Sequence, residues 1–422
     1  MKFYIYTLGC KVNTYESNVM RDKLLNAGYV EGDEDNSDIY VINTCTVTNT
    51  SDNKSLKMIR QVKRNYKDVI TIVVGCMSQV NSKLLDDLNV SIILGNSGKS
   101  KIVEYLEEYK KNNKPIKIID NIMEKDFEDM CLNNFNKTRA FVKIEDGCEN
   151  YCSYCIIPYA RGKIRSKKPN IVIDEIKKLV SDGHKEIVLT GIHTGHYGSD
   201  INYNFSKLLA DIEKIEGLSR LRISSIEITE LGKEFFDVLK NSKILVDHMH
   251  IPLQSGSDEV LKLMNRKYDK KYFIDKITEI RKIRPNMSIT TDIIVGFPGE
   301  TEDLFNETLD TVNKIKFSKI HVFPFSLRKG TKAEELPNHV DEKLKKSRVK
   351  ELIQISKNLE IEYFNKFINK KVKYLPEIYK DGYVIGHTGN YLLVKSEGSI
   401  NDLNNIKETT IKKVEYPYVI GE

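Results

Sequence analysis

The stretch EDGCENYCSYCIIPYARG carries Cys148, Cys152 and Cys155, with three and then two residues between them. Thiolates at such spacing hold a soft metal, and their number narrows which one. A structural zinc site is usually closed by four ligands and is often built from paired Cys-x-x-Cys knuckles, but no histidine or second knuckle follows nearby. Three thiolates on a cube of four irons would instead leave one iron open to a further ligand. The zinc reading stays as the competitor, and the choice turns on what the rest of the chain supplies.

Three more cysteines stand at matching places. The apolar runs KFYIYTLGC, IYVINTC and VITIVVGC each end on a cysteine: Cys10, Cys45 and Cys76. Each run is short, rich in Ile, Val and Tyr and nearly continuous, as expected of parallel strands buried on both faces. A helical pattern follows each one: NVMRDKLLNAGY, SLKMIRQVKRNY and SKLLDDL. In an open parallel sheet the carboxyl ends of the strands lie along one edge, where ligands bind, so these three thiols should converge. The alternative is three small buried hydrophobes, a common use of cysteine. Against it, all three sit just past the apolar run, where iron–sulfur ligands come from loop ends. The seventh, Cys131, has no cysteine neighbour and no strand end, and reads as a free thiol of a connecting segment.

The composition suits a soluble chain of two or three units. It has 422 residues, 40% hydrophobic and 30% charged, with a formal net charge of +6. That charge permits an acidic partner without requiring one. No apolar run approaches a membrane span, and the opening MKFYIYTLGCK is interrupted too early for a signal peptide. A cytoplasmic location without membrane association is the expectation, and an odd, small number of cysteines fits a reducing compartment better than a disulfide framework. The run VSIILGNSGKS imitates a phosphate loop, but the first glycine that motif needs is replaced by Ile93.

Six strand candidates, FVKIE, EIVLTG, RLRISS, HMHIPLQ, ITTDIIVGF and KIHVFPF, alternate with amphipathic helices through the middle of the chain. That order makes an incomplete (β/α)6 barrel with its site at the carboxyl ends of the strands. A helix over DEKLKKSRVKELIQISKNLEIEYFNKFIN follows. Short alternating strands broken by Asp-Gly and Glu-Gly turns then read as a small β-barrel. In HIPLQSGSDEVLKLM, Ser257 stands where a helix cap belongs. His193, His196, His248, His250 and His321 gather near strand ends, and no metal role is assigned to them.

The Cys-x-x-x-C-x-x-C motif of Cys148, Cys152 and Cys155 resembles the signature of the radical S-adenosylmethionine enzymes, and the last segment resembles a TRAM domain, an OB-like RNA-binding module. A three-cysteine N-terminal domain, that barrel and a TRAM domain, in this order, resemble the methylthiotransferases over nearly the whole chain. The fold implied is α/β: an open parallel α/β domain at 1–112, a linker at 113–136, a partial radical S-adenosylmethionine barrel at 137–366 and the TRAM barrel at 367–422. The cofactors implied are two 4Fe-4S clusters, on Cys148, Cys152 and Cys155 and on Cys10, Cys45 and Cys76, together with S-adenosylmethionine.

By the same resemblance, Gly191 would lie against the methionine moiety, Ser224, Ser225 and Glu227 near the ribose, and Gly296 and Phe323 along the adenine, with Gln254 as a further contact. No acid–base catalytic pair is expected, because the chemistry belongs to the cofactor. TLGCKVN, LTGIHTGHYGSD and HVFPFSLRKGTKA resemble the branch that inserts a methylthio group at C2 of threonylcarbamoyladenosine at tRNA position 37. Branches acting on isopentenyladenosine or on a ribosomal-protein aspartate are the alternatives. The partners implied are the anticodon stem-loop of tRNA and a low-potential electron donor such as flavodoxin or ferredoxin. Arg161 or Arg328 is the expected grip on the threonyl carboxylate, and Tyr383 and Tyr391 are the expected stacking platforms for bases.

Overall fold

The computed structural model describes residues 1–132, 135 and 137–422; residues 133, 134 and 136, within the expected linker, lie outside the described residues. The N-terminal sheet has six strands, all paired in parallel. Lys2–Thr7, Ile39–Thr44 and Ile70–Gly75 form its centre. Alternation explains why their sequences are apolar without a break. Ile39, Val41, Ile72 and Val74 pack to one face with Phe3 and Leu24, while Tyr40, Ile42 and Val73 pack to the other with Ile59 and Val62. A parallel sheet covered on both sides needs apolar residues at every position.

The connecting stretch is more ordered than its composition suggests. Ile116–Ile118 adds the edge strand, and Met130, Leu132 and Phe135 are buried in the core of the central unit.

The central unit holds all six expected strands in two parallel groups of three. Arg139–Lys143, Glu186–Thr190 and Arg220–Ile223 form one, and His248–His250, Ser288–Val295 and Lys319–Pro324 the other. A single parallel bridge, Leu221 to Leu245, links them. The helices Pro169–Ser181, Phe205–Ile212, Lys233–Asn241, Lys270–Ile283 and Glu302–Ile315 cover the outside with one apolar stripe each.

The long helix Glu342–Asn365 leads into a closed five-stranded barrel over residues 371–421. Tyr363, Phe364 and Phe367 at and just beyond the helix end pack with Tyr374, Val384, Val394 and Ile411 inside that barrel. The helix thus plugs one end of it and fixes its position against the central unit.

Candidate active site

Cys10, Cys45 and Cys76 meet at the carboxyl edge of the N-terminal sheet. Gly9 and Gly75, just before two of them, have φ of +100° and +106°, a backbone shape that an L side chain resists. A Cβ on Gly9 would also lie 2.8 Å from Cys45 Cβ and 2.9 Å from its Sγ. The glycines therefore turn each chain end sharply and let the thiols approach. Cys45 is buried, whereas Cys10 opens into a cavity. Burial pushes both thiols up, helped by the neighbouring sulfurs and opposed at Cys10 by Arg161.

Donors converge on this sulfur edge from both units, Arg161 from the central one and Asn96 from the N-terminal one. Arg161 Nε donates to Cys76 Sγ at 3.2 Å, and Asn96 Nδ2 does so at 3.4 Å. Arg161 Nη1 also meets Glu16 at 2.5 Å, and Nη2 meets Asn13 Oδ1 at 2.6 Å. Lys143 bridges Glu16 and Asp146, each at 2.7 Å, Arg165 reaches Asp146 at 3.4 Å, and Lys99 pairs with Glu16. Four buried cations thus face two carboxylates. Buried charge is tolerated only when it is paired, and an anionic thiolate-bound cluster would balance the excess. The donor set fits an iron–sulfur group.

The second trio lies on the loop between Glu145–Asp146 and the short helix Ile157–Arg161. Arg266 Nη1 donates to Cys152 Sγ at 3.2 Å, and Nη2 lies 3.3 Å from Glu227. Glu227 in turn accepts from Asn150 Nδ2 at 2.6 Å, so one guanidinium and one carboxylate brace the loop. Burial, reinforced by Cys152, pushes the Cys155 thiol up to about 12. Burial pushes Cys148 up as well. Three thiols held this close ionise together only when a metal supplies positive charge, which again fits.

A cavity of about 780 Å³ joins the units. Cys10 and Lys11 form one wall, Gly191, Ser224, Ser225, Arg222 and Phe323 another, and His387 and Tyr391 of the C-terminal barrel a third. Gly191 is placed so that a Cβ would meet Glu145 Oε2 at 2.7 Å. That carboxylate accepts from the amides of Ile192 at 2.9 Å and His193 at 2.7 Å.

The remaining expected cofactor contacts do not line this cavity. Glu227 stands behind the Cys152 loop. Gln254 pairs with Ile293 between strands. Gly296, at φ +71°, forms a turn whose amide donates to Glu300 at 2.7 Å. Ser257 does stand at the helix start, but its side chain makes no cap bond.

Three expectations about basic and aromatic groups are corrected. Arg161 is 0% exposed and consumed by the interdomain network. Arg328 is spent on Asp52 at 2.8 Å and on Asn49 and Thr46. Tyr391 is no exposed platform. Its ring stacks on His248 with centroids 4.6 Å apart, under the Arg222 guanidinium at 4.6 Å. Tyr383 is 37% exposed and carries Lys395 over its ring at 4.4 Å.

Two groups of side chains could each meet a metal, His193 with His196 and Glu230, and His250 with Asp292 and His321. Sequence reasoning did not find Lys11, Arg222, Arg266 or Glu16 as site residues. Only Lys11, beside Cys10, carried a local signal.

The profile of the Radical SAM superfamily matches residues 142–312, and that of the Uncharacterized protein family UPF0004 matches residues 2–95. Among curated proteins, the chain is 42% identical to the threonylcarbamoyladenosine tRNA methylthiotransferase MtaB of Bacillus subtilis, over 99% of this chain and 95% of that one. It is 38% identical to the protein of the same name from Thermotoga maritima, over 99% and 96%. A tRNA-2-methylthio-N(6)-dimethylallyladenosine synthase of Natranaerobius thermophilus is 38% identical, over 85% of this chain and 82% of that one. Among solved structures, the radical S-adenosylmethionine methyltransferase TsrM of Kitasatospora setae shares the fold. Its TM-score is 0.57 at 13% identity, over 76% of this chain and 74% of that one.

Proposed function

The chain belongs to the radical S-adenosylmethionine methylthiotransferases, and from that membership we propose that it inserts a methylthio group at C2 of threonylcarbamoyladenosine in tRNA. The observation that carries this reading is a cavity shared by the three units. One wall holds Cys10 of the N-terminal trio, the next holds Gly191, Ser224 and Ser225 at barrel strand ends, and the third belongs to the C-terminal barrel. Cys10, the barrel strand ends and the C-terminal barrel thus face one space, although Cys148, Cys152 and Cys155 do not themselves line it.

The target carbon carries no acidic proton and no leaving group, so polar catalysis by side chains has nothing to grasp. One 4Fe-4S cluster on Cys148, Cys152 and Cys155 with S-adenosylmethionine would supply one-electron chemistry, and a second on Cys10, Cys45 and Cys76 would supply sulfur. The protein's own part is placement. Arg266 and Asn150, joined through Glu227, hold the first cysteine loop against the barrel. Arg161 ties the N-terminal trio, through Cys76, to the same barrel. Gly191, Ser224, Ser225 and Phe323 are the groups proposed to face S-adenosylmethionine in the cavity.

On this reading the units fall at 1–112, 137–366 and 367–422, with 113–136 between them. The anticodon stem-loop approaches along the C-terminal barrel, a flavodoxin or ferredoxin provides the electron, and the enzyme works in the cytoplasm. Among the described residues no helix is long and apolar enough to cross a membrane. Nucleoside mass spectrometry of tRNA from cells with and without the gene tests the reading. Loss of the methylthio form, with accumulation of threonylcarbamoyladenosine, is expected. An unchanged level of that nucleoside together with loss of the dimethylallyl counterpart would overturn it.

A further inference from the structure

Lys11 on the N-terminal wall of the cavity and Arg222 on the barrel wall bring to it a positive charge that the protein itself leaves unanswered. Four cations gather there: Lys11, Arg139, Arg220 and Arg222. Two carboxylates face them, Glu186 and Glu377. Arg220 is fully engaged, with Glu186 at 3.4 Å, His387 O at 3.0 Å and Lys373 O at 2.8 Å. Arg139 meets Glu377 at 3.1 Å and the Tyr391 hydroxyl at 3.2 Å.

The other two are not spent. Arg222 is 2% exposed; its Nε pairs with Glu186 at 2.7 Å and its Nη2 reaches Thr388 O at 3.4 Å, but its Nη1 has no hydrogen-bond partner. Lys11 lies half-buried, within electrostatic reach of Arg222, Arg139 and Tyr391. Among the described residues its ammonium has neither an ion pair nor a hydrogen bond. Both groups line the cavity, and Lys11 does so directly beside Cys10.

A buried guanidinium nitrogen without an acceptor costs free energy comparable to a lost charged hydrogen bond. That nitrogen and the unpaired Lys11 ammonium on another wall of the cavity call for an anionic ligand with more than one acceptor oxygen. A planar carboxylate meets that description, since its oxygens can take one bond from each donor. The aromatic pair Tyr391 and His248 fixes the geometry, because the Arg222 guanidinium lies over the Tyr391 ring and cannot swing aside to water.

We infer that Lys11 and Arg222 grip the carboxylate of the threonyl group, holding the modified adenine with its C2 toward the N-terminal sulfur edge. This rests on threonylcarbamoyladenosine being the substrate. Selectivity against a dimethylallyl group then follows, because that uncharged chain would leave both donors desolvated and unpaired. The residues that sort substrates come from two units, the start of the helix after the first strand and a barrel strand, and both contribute to one anion site.

The test uses the anaerobically reconstituted full chain and two anticodon stem-loop RNAs. One carries threonylcarbamoyladenosine and the other its carboxamide, which keeps shape and loses charge. Affinity by fluorescence anisotropy and KM for methylthiolation are read for wild type, Lys11→Met and Arg222→Lys, with iron content as a check on assembly.

The wild type is expected to prefer the carboxylate RNA by about 30-fold, and both variants should bring that ratio close to one. Equal binding of the two RNAs by the wild type would overturn the inference without any variant having to fold. So would an undiminished preference in both variants. If the wild type modifies dimethylallyladenosine RNA and ignores both threonylcarbamoyl RNAs, the substrate assignment itself falls, and this site with it.

Discussion

Two concentrations of buried positive charge flank the N-terminal cysteines, and they differ in one respect. Around Glu16, the cations Arg161, Lys143 and Lys99 all find acceptors, in contacts that tie the N-terminal sheet to the barrel. Around Glu186, Arg222 keeps one nitrogen unpartnered, and Lys11 meets no acceptor among the described residues. Residue types and burial are similar, so composition cannot tell the clusters apart. Hydrogen-bond satisfaction at the cavity can: Arg165 beside Asp146 also leaves its Nε without a partner but does not line the cavity, whereas Arg222 and Lys11 do. A closed network holds units together, whereas an open one is held in reserve for a ligand.

The largest expected effects come from the sulfur atoms that the closed cluster serves. Cys148→Ala should abolish reductive cleavage of S-adenosylmethionine. Cys76→Ala should lower bound iron by half, stop methylthiolation and leave that cleavage detectable, as read by iron analysis and by release of 5′-deoxyadenosine. Methylthiolation that survives Cys76→Ala would break the comparison at its root, since Arg161 would then be donating to a sulfur with no role in the transfer.

Stability should divide the two clusters next. Arg161→Met removes a buried partner from Glu16, Asp146 and Asn13 at once, and loss of about 3–5 kcal/mol is expected. It should appear as a lower thermal midpoint with poor retention of the N-terminal cluster. Lys11→Met removes a charge that pairs with nothing, so the same measurement should find the protein unchanged or stabilised by up to about 1 kcal/mol. A matching loss in both variants would mean that the second cluster is also a fastening, and the distinction would fail.

The parts of this site that the sequence reveals are the ones encoded locally. An apolar run ending on a cysteine announces a buried strand and the loop after it, which singles out Cys10, Cys45 and Cys76, while Cys148, Cys152 and Cys155 stand out by their mutual spacing. The barrel strands were legible for the same reason. The partner of a charged side chain is not local. Arg161 and Glu16 are 145 residues apart, and nothing around Arg161 distinguishes a fastening from a grip on substrate, so it was misread as the latter. Tyr391 looked like a surface platform because the strands beside it alternate as a small barrel should. Its burial under Arg222 depends on how that barrel docks. Gly296 ends a strand as expected, but its positive φ serves a turn closed by Glu300.

The smallest effect concerns how the C-terminal barrel is held to the open cluster. Burial alone would raise the Glu377 carboxyl. The hydrogen bond with His387 at 2.7 Å and the Arg139 guanidinium outweigh it and hold the group below the usual carboxylate range. A carboxylate depressed in the folded state contributes stability that is present above its unfolded value and lost as pH falls through its folded value. Acidification below about pH 4 should therefore loosen this contact, with Tyr391 and the Arg222 wall shifting alongside. The expected cost is about 1 kcal/mol or less, because the pair is partly open to water. Glu377→Gln should lower the thermal midpoint slightly at neutral pH and flatten that part of its acid limb, so that the two proteins converge at low pH. An acid limb identical in the two proteins would mean that docking does not depend on this pair, and that the open cluster keeps its shape through Arg220 and its bonds to His387 O and Lys373 O.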